Sequence, residues 1–297
     1  MEVIKIGIIG MSHGNGHPYS WSAIVNGYDY EYMKDCPFPV IPDYLSKQKW
    51  PDSSIKGANV NSIWTQSKTI SKHIALSTNI KHVCENIDNL LEHSDCIMLA
   101  RDDYENHNKF SKIFLDSGLP IYIDKPIATS INQLEKIYKN EKYDGQIFTC
   151  SALRYCSDLK LTNSDKKKIG EIEKIKAITP KGWDKYSIHI IEPVLNILPR
   201  NLNIKSSKVN IRGISKQLDI VWDSNQKTSL ISSGEESSQI KIKVFGSKGS
   251  VTLVHKNTFM AFKKSIEKFL YGVRNKTIES PMLYNKKIVD IIHRGLN

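Results

Sequence analysis

Residues 3–9 read Val-Ile-Lys-Ile-Gly-Ile-Ile, and residues 10–16 continue as Gly-Met-Ser-His-Gly-Asn-Gly. The first stretch is rich in isoleucine and valine, which is typical of a buried parallel strand. The glycines after it predict a tight turn, and residues 19–26 have the composition of a helix. A strand, a turn and a helix in this order form the first unit of an α/β sheet. We therefore expect a parallel sheet with helices packed on its faces.

The same alternation of strands and helices continues to about residue 150. Strands are predicted at 58–65, around Val83, and at 96–100, 119–123 and 146–151, and helices at 68–77, 87–91, 110–114 and 131–138. Asp102 and Glu105 have the spacing of a capping pair in front of the helix at 110–114. Four prolines between residues 31 and 57 predict an insertion without a long helix. The whole pattern predicts a doubly wound parallel sheet, the α/β architecture of a Rossmann domain.

Beyond residue 150 the pattern changes to short alternating strands. Strand candidates are 172–179, 207–215, 218–223, 228–232, 239–245 and 250–255, and helix candidates are 187–198, 259–274 and 283–294. Strands with few helices between them predict an α+β domain with an open, mainly antiparallel sheet. We therefore expect a Rossmann domain over residues 1–126 and a substrate and oligomerisation domain over residues 127–297. The C-terminal helix is expected to pack back on the first domain.

The composition of the 297 residues excludes several classes of protein. The net charge of +11 is dispersed, and its densest run, Lys166 to Lys168, is predicted to lie in a solvated turn. No stripe joins lysines to stacking aromatics, so nucleic acid is not an expected partner. The sequence contains no apolar run of about 20 residues and no leader-like start, so we expect a cytoplasmic protein without a membrane anchor. The five cysteines have no CxxC spacing, which predicts reduced thiols and neither a disulfide framework nor a metal site.

The glycine turn is the first candidate site. Between a buried strand and a helix, backbone N–H groups and the helix dipole can hold a pyrophosphate. The turn departs from the usual G-x-G-x-x-G pattern, because Ser12 and Asn15 stand where the second and third glycines are expected. Its candidate cofactor-binding residues are Gly10, Met11, Ser12, His13, Gly14 and Asn15. A tight turn without a ligand is the alternative.

Two further motifs contain residues that can take part in proton transfer. Asp124-Lys125-Pro126 ends a predicted buried strand, where a lysine costs desolvation energy unless it serves a ligand. An exposed lysine at the strand end is the alternative. His189 and Glu192 share one face of a predicted helix, so that the carboxylate can orient or charge the imidazole. The alternative for this histidine is a role in packing and hydrogen bonding only.

Taken together, these motifs resemble the Gfo/Idh/MocA family of oxidoreductases. Residues 124–126 are similar to the Glu-Lys-Pro motif of that family, with aspartate in place of glutamate. Residues 99–107 resemble the end of its fourth strand, and residues 245–251 resemble a Gly-x-x-Gly turn late in its second sheet. The resemblance implies that these loops contact the cofactor through Ala100, Arg101, Asp102, His107, Asp124, Lys125 and Pro126.

The resemblance implies hydride transfer between a nicotinamide and a hydroxyl or carbonyl group of a sugar, in particular a nucleotide sugar. It implies that Lys125 polarises the reacting oxygen and that His189 moves its proton. The family often has an aspartate four residues before the histidine, and this chain has Lys185 there. Tyr186 can take its place as a hydroxyl donor, while Lys185 and Arg154 are expected to contact the substrate.

The choice between NADP and NAD stays open. The end of the second predicted strand has no acidic residue for the ribose hydroxyls, whereas Thr65, Ser67 and Lys68 suit a 2′-phosphate, which slightly favours NADP. Thr65 is therefore a further candidate cofactor-binding residue. The resemblance also implies a homodimer or homotetramer formed through the outer face of the second sheet. A catalytically silent, cofactor-binding sensor or scaffold is the alternative function, because Lys185 and the altered turn depart from the family pattern.

Overall fold

A computed structural model describes residues 2–297 as two compact units, each assembled from separated stretches of chain. The first unit contains the chain up to Ala128 together with Asn132–Cys150 and Phe262–Met282. The second unit contains Thr129–Ile131, Ser151–Ala261 and Leu283–Asn297. The sequence predicts one boundary, after residue 126, whereas the chain passes between the units after residues 128, 131, 150, 261 and 282.

The strands are β1 (Ile4–Ile9), β2 (Ala58–Trp64), β3 (His82–Val83), β4 (Cys96–Leu99), β5 (Ile121–Ile123), β6 (Ile147–Thr149), β7 (Ile172–Thr179), β8 (Ile204–Arg212), β9 (Ser215–Trp222), β10 (Lys227–Ser232), β11 (Lys241–Gly246) and β12 (Gly249–Val254). The α-helices are α1 (His17–Asn26), α2 (Tyr30–Met33), α3 (Val40–Ser46), α4 (Lys68–Ser77), α5 (Leu90–His93), α6 (His107–Asp116), α7 (Ile131–Tyr138), α8 (Asn163–Ile169), α9 (Trp183–Tyr186), α10 (Ile188–Ile197), α11 (Thr258–Asn275) and α12 (Met282–Leu296). Short 3-10 helices lie at Ile87–Asn89, Tyr104–Asn106, Ala152–Tyr155 and Ser157–Leu159.

The first unit is built on six parallel strands in the order β3-β2-β1-β4-β5-β6. Ile6, Ile8 and Ile9 of β1 are fully buried, and so is every residue of β4. Strands buried in this way are characteristic of parallel sheets covered by helices on both faces. The winding of the chain reverses between β1 and β4, and sheets of this kind bind ligands at the carboxyl ends of the strands beside that point. The predicted doubly wound α/β sheet is confirmed.

The proline-rich segment between α1 and β2 forms the short helices α2 and α3, as the absence of a long helical pattern predicts. Part of this segment packs against the glycine turn. A Cβ atom added at Gly16 would lie 2.6 Å from Ile41 Cδ1 and 2.7 Å from the ring of Phe38. Gly16 therefore provides the space that lets the insertion approach the turn.

The predicted capping pair of Asp102 and Glu105 is wrong. The chain approaches α6 through a 3-10 helix that follows Asp103, and the Asp103 side chain makes no capping hydrogen bond. Asp102 instead accepts a hydrogen bond from the Ser12 hydroxyl at 2.7 Å. Asp102 thus bonds to a residue 90 positions away in the chain and not to the start of the nearby helix. Sequence spacing alone does not show such a distant partner.

The second unit is built on a six-stranded sheet in the order β12-β11-β7-β10-β9-β8. Its neighbouring strands are antiparallel except for β7 and β10, which are parallel, so the prediction of a mainly antiparallel sheet is confirmed. The predicted strand at 207–215 extends too far, because Gly213 has a φ of +58° in the turn between β8 and β9. The homo-oligomer expected through the outer face of this sheet stays a prediction.

The lysine run at 166–168 is helical, and its assignment to a solvated turn is wrong. The three lysines form the last turn of α8. The Thr162 hydroxyl and the Asp165 carboxylate form a reciprocal capping box at the start of this helix. Lysines near a helix C-terminus interact favourably with the helix dipole, and Gly170 ends the helix with a φ of +72°.

Two properties concern the described chain as a whole. Among residues 2–297, no helix combines the length and the apolar character that crossing a membrane requires. All five cysteines are buried, and none of them takes part in a disulfide within the same residues.

We expect Gly16→Ala to destabilise the protein by about 1–3 kcal/mol, because the added methyl group meets Phe38 and Ile41 in a close-packed region. Denaturant unfolding followed by circular dichroism measures the change in the free energy of unfolding. The same substitution in a background that carries both Phe38→Ala and Ile41→Ala should cost clearly less, since both contacts are gone. An equal cost in both backgrounds would contradict this account of the packing.

Candidate functional site

Three loops of the first unit lie at the carboxyl ends of its strands. The glycine turn at residues 10–16 follows β1, residues 100–103 follow β4, and residues 124–126 follow β5. The winding of the sheet reverses between β1 and β4, so these loops occupy the position where such sheets hold nucleotides. Ala100 and Pro126 are buried in their loops. Hydrogen bonds and ion pairs connect all three loops into one site.

The two polar residues that replace the expected glycines anchor the turn. The Ser12 hydroxyl donates a hydrogen bond to Asp102 Oδ1 at 2.7 Å and accepts one from the Asp102 backbone N–H at 3.1 Å. The Asn15 side-chain amide donates to Asp124 Oδ2 at 2.9 Å. Both Ser12 and Asn15 are buried. The departures from the glycine pattern therefore attach the turn to the loops after β4 and β5.

The start of the turn is held by Gln66 and Arg101. The Gln66 side-chain amide accepts a hydrogen bond from the Met11 N–H at 3.0 Å and donates one to the Met11 carbonyl at 2.5 Å. The Arg101 guanidinium donates to the same carbonyl at 3.1 Å and to Gln66 Oε1 at 3.0 Å. Its other edge forms a bidentate ion pair with Asp103, with distances of 2.9 and 2.6 Å. Arg101 thus fixes the backbone of the turn, because its planar guanidinium group presents several N–H donors in a rigid arrangement.

The tip of the turn is its exposed part. His13 and Gly14 are exposed, and a Cβ atom added at Gly14 would meet nothing within 4 Å. Gly14 has a φ of +76°, which favours glycine. Helix α1 begins directly after Gly16, which is its N-cap and provides no side-chain cap. An open glycine backbone in front of such a helix N-terminus can bind an anion such as a pyrophosphate.

Asp124 is the buried centre of the site. Its carboxylate accepts hydrogen bonds from Asn15 at 2.9 Å and from the Lys125 backbone N–H at 2.7 Å, and its Oδ2 lies 2.6 Å from His17 Nδ1. Burial by itself raises the pKa of this carboxyl, but the charges of His17 and Lys125, with hydrogen bonds from His17 and Asn15, lower the pKa to about 2. The carboxylate is therefore ionised near neutral pH. The His17 ring is in turn stacked on Trp21, with 5.0 Å between the ring centroids.

Lys125 is a buried cation at the end of β5. Only 7% of its side-chain surface is exposed, and its Nζ lies 3.8 Å from Asp102 Oδ2. A buried ammonium group is stabilised when carboxylates lie near it. Asp102 and Asp124 supply that negative charge, and both also anchor the glycine turn. The alternative of an exposed strand-end lysine is therefore wrong.

Two predicted cofactor-binding residues, His107 and Thr65, direct their side chains to backbone carbonyl groups of the protein. His107 is fully buried, with Nδ1 3.0 Å from the Ile127 carbonyl oxygen and Nε2 2.7 Å from the Arg101 carbonyl oxygen. The Thr65 hydroxyl is also buried and donates to the Ser67 carbonyl at 2.7 Å. His107 thus joins the loops after β4 and β5. Direct contact of His107 or Thr65 with a cofactor stays a prediction.

The second unit contains the candidate acid–base residue His189, near the start of α10. The Ser151 hydroxyl lies 2.7 Å from His189 Nδ1. The helical spacing predicts that Glu192 orients or charges His189. Glu192 is fully buried and forms a bidentate ion pair with Arg154 at 2.6 and 3.0 Å. Glu192 also accepts a hydrogen bond from the Ser151 backbone N–H at 2.9 Å. The connection from Glu192 to His189 therefore runs through Ser151.

The other predicted substrate contacts differ in how far they are buried. Arg154 has only 6% of its side-chain surface exposed, and its guanidinium lies 4.8 Å from the centroid of the Tyr284 ring. Tyr186 and Lys185 are half-buried in α9. The Tyr186 ring meets the His189 ring edge to face, with 5.4 Å between centroids. Tyr186 is thus a neighbour of the candidate acid–base residue, and its role as a hydroxyl donor stays a prediction.

Three residues of these sites were not predicted from the sequence. Gln66 contacts Met11 across 55 residues and Ser151 contacts His189 across 38 residues, so no local pattern marks either of them. His17 differs, because it is the first residue of the helix that follows the glycine turn. Its position next to a candidate phosphate site could have identified His17 from the sequence.

The sheet order and the three connected loops define the first unit as a dinucleotide-binding domain of the Rossmann type. Residues 4–151 match the model of a protein family described as an oxidoreductase family with an NAD-binding Rossmann fold, GFO_IDH_MocA. The chain belongs to this Gfo/Idh/MocA family. It is therefore an NAD-binding oxidoreductase of the Gfo/Idh/MocA type.

Solved structures of similar fold match this chain over almost its full length. Myo-inositol 2-dehydrogenase from Lactobacillus plantarum has a TM-score of 0.74 at 12% identity, covering 99% of this chain and 98% of its own. Scyllo-inositol dehydrogenase from Lactobacillus casei, with bound NAD(H) and scyllo-inositol, has a TM-score of 0.71 at 14% identity, covering 99% and 96%. A myo-inositol dehydrogenase from Corynebacterium glutamicum has a TM-score of 0.72 at 13% identity, covering 99% and 96%. No curated protein is similar enough in sequence to match.

We expect Asp124→Asn to remove a pH-dependent part of the stability. The folded-state pKa of Asp124 is about 2, below the value of 3.8 for an unperturbed carboxyl, so its ionised form stabilises the fold. This contribution is complete above the unfolded pKa and is lost as the pH falls through the folded pKa. The stability difference between wild type and Asp124→Asn should therefore shrink from about pH 5 to about pH 2. Denaturant unfolding at several pH values measures it.

The matched control is Asp88→Asn, at an exposed position of the same unit. Its stability relative to wild type should vary much less over the same pH range. If the difference between wild type and Asp124→Asn stayed constant with pH, the proposed ionisation of Asp124 would be contradicted.

Proposed function

We propose that the protein transfers a hydride between NAD and a hydroxyl or carbonyl carbon of a sugar or inositol-like polyol. The observation that supports this most directly is the buried Lys125 cation at the carboxyl end of β5, beside the anchored glycine turn. A cation in that position stabilises the negative charge that develops on a substrate oxygen. The inositol dehydrogenases of similar fold support a polyol as substrate. A nucleotide sugar is the narrower alternative.

For the cofactor, we assign the pyrophosphate to the exposed tip of the glycine turn. The backbone of His13 and Gly14 is open there, and α1 begins behind it. Ser12 and Asn15 are already bonded to Asp102 and Asp124, so we assign them to the shape of the turn. The donors of this loop fit a dinucleotide phosphate, because backbone N–H groups at a helix N-terminus bind anions.

We favour NAD over NADP on the side chains near the end of β2. Lys68, which suits a 2′-phosphate by sequence, forms an ion pair with Glu85. The Thr65 hydroxyl donates to the Ser67 carbonyl, and the Ser67 hydroxyl accepts from the Ile70 N–H at the start of α4. Thr65 and Ser67 are thus engaged within the protein, and the exposed Lys68 has the Glu85 carboxylate beside it, which would repel a 2′-phosphate.

Bound NAD would accept or supply the hydride, and the protein would supply charge and proton transfer. In this proposal Lys125 holds the substrate oxygen and stabilises an alkoxide there, while Asp102 keeps the ammonium group in place. His189 takes or gives the hydroxyl proton through Nε2, because the Ser151 hydroxyl engages Nδ1. We assign Arg154 and Glu192 to positioning Ser151, and Lys185 and Tyr186 to contacts with the substrate.

We expect Lys125→Ala and His189→Ala each to lower kcat by about 100-fold or more, because each removes a group that acts in the transition state. The affinity for NADH should stay within a few-fold of wild type. Steady-state kinetics and calorimetric titration with NADH and NADPH measure the two effects separately. The panel of substrates should contain inositols, free sugars and nucleotide sugars.

Lys176→Ala is the control for these variants, since Lys176 is exposed on β7. It should leave kcat and NADH affinity unchanged. Normal turnover in both Lys125→Ala and His189→Ala would refute the assigned roles. NADH binding without turnover of any substrate in the panel would favour the silent sensor or scaffold.

We expect Ser151→Ala to lower kcat less than His189→Ala and to move the pH profile of kcat. Its hydroxyl contacts His189 Nδ1 and thereby fixes the orientation of the ring. Ser157→Ala, at an exposed position of the same unit, is the matched control. An unchanged pH profile in Ser151→Ala would contradict the positioning role.

A further inference from the structure

A cluster of metal-ligating side chains lies in the second unit, apart from the residues assigned to catalysis. Cys156 and Asp158 lie on either side of the first residue of a 3-10 helix, and His255 follows β12. One ligand atom from each of the three residues lies within 4.8 Å of those from the other two. Cys156 is buried, whereas Asp158 and His255 are half-buried, so solvent reaches part of the cluster.

The separations of the ligand atoms fit a tetrahedral zinc ion. Cys156 Sγ lies 3.4 Å from His255 Nδ1 and 3.7 Å from Asp158 Oδ2. Zinc bonds of about 2.3 Å to sulfur and about 2.1 Å to nitrogen or oxygen, at tetrahedral angles, place such atoms roughly 3.6 Å apart. Both separations agree with that value within about 0.2 Å. The third pair of ligand atoms, on Asp158 and His255, lies within 4.8 Å.

Neighbouring groups hold two of the three ligands in place. The backbone N–H groups of Lys256 and Asn257 each donate to Asp158 Oδ2 at 3.0 Å. The Nε2 atom of His255 lies 3.2 Å from the Thr258 hydroxyl oxygen. A hydrogen bond from Nε2–H to this hydroxyl leaves the lone pair on Nδ1, which faces the Cys156 sulfur. Outer partners of this kind are typical of histidine and carboxylate ligands in metal sites.

We propose that Cys156, Asp158 and His255 form a binding site for a divalent zinc ion, with solvent as the fourth ligand. Thiolate and imidazole together favour zinc over magnesium or calcium, which prefer oxygen ligands. Binding converts the Cys156 thiol to a thiolate and releases its proton to solvent, with no change of oxidation state. The ion would connect the segment before α8 to the turn between β12 and α11. The site is independent of the proposed hydride transfer.

Cobalt titration of the intact, chelator-treated protein tests the proposal. Co²⁺ bound by this set should give a near-ultraviolet thiolate-to-cobalt band and the visible bands of a tetrahedral ion, which saturate at one equivalent per chain. Zn²⁺ added afterwards should remove both sets of bands. Cys156→Ser should abolish the thiolate band, and Thr258→Val, which removes only an outer partner, should weaken binding about tenfold.

Cys84→Ser is the matched control, because Cys84 is a buried cysteine in the other unit. It should keep the full cobalt spectrum. The wild-type titration shows whether a thiolate site exists, and Cys156→Ser assigns it, provided that circular dichroism shows both proteins to be folded. A folded wild type without a thiolate band at one equivalent of cobalt would overturn the proposal, and so would a band that persists in Cys156→Ser.

Discussion

The arrangement of the glycine turn and of the loop after β5 depends on one buried carboxylate, that of Asp124. A buried charge is tolerated only when hydrogen bonds and opposite charges surround it. Asn15 of the glycine turn, His17 of α1 and the Lys125 backbone N–H provide that environment. These partners come from two places far apart in the chain, so the charge is stable only when both hold their positions. Electrostatic interactions, as well as packing, therefore hold these loops in position.

In the glycine turn, side-chain hydrogen bonds to buried carboxylates take the place of the usual glycine motif. In the usual pattern, small residues let the backbone approach the phosphates closely. Here Ser12 and Asn15 occupy two of the glycine positions and direct their side chains to Asp102 and Asp124. Gln66 and Arg101 then bind the backbone of Met11 from the other side. The turn is thus shaped by side-chain hydrogen bonds, and only its tip keeps an open glycine.

The sequence predicted those features that depend on short-range patterns. All six strands of the first sheet were found, because buried parallel strands appear as continuous apolar runs. Lys125 was found because it ends such a run. Asp102 was misassigned as a helix cap, since its partner Ser12 is 90 residues away. Gln66 and Ser151 were missed for the same reason, and so was the cluster of Cys156 and His255, which are 99 residues apart. Long-range side-chain partners leave no local signal.

Stretches of the two units alternate along the chain, which limits where the chain can be cut or joined to a related sequence. A fragment that ends at residue 128 lacks β6, α7 and the part of α11 from Phe262 onward, all of which belong to the first unit. Its edge strand β5 would be left uncovered, a known hazard for aggregation. During synthesis the first unit is complete only after Met282 has emerged, when most of the second unit already exists. A single crossover within residues 151–261 would divide both units between two parents, because each unit has stretches of chain on either side of that segment.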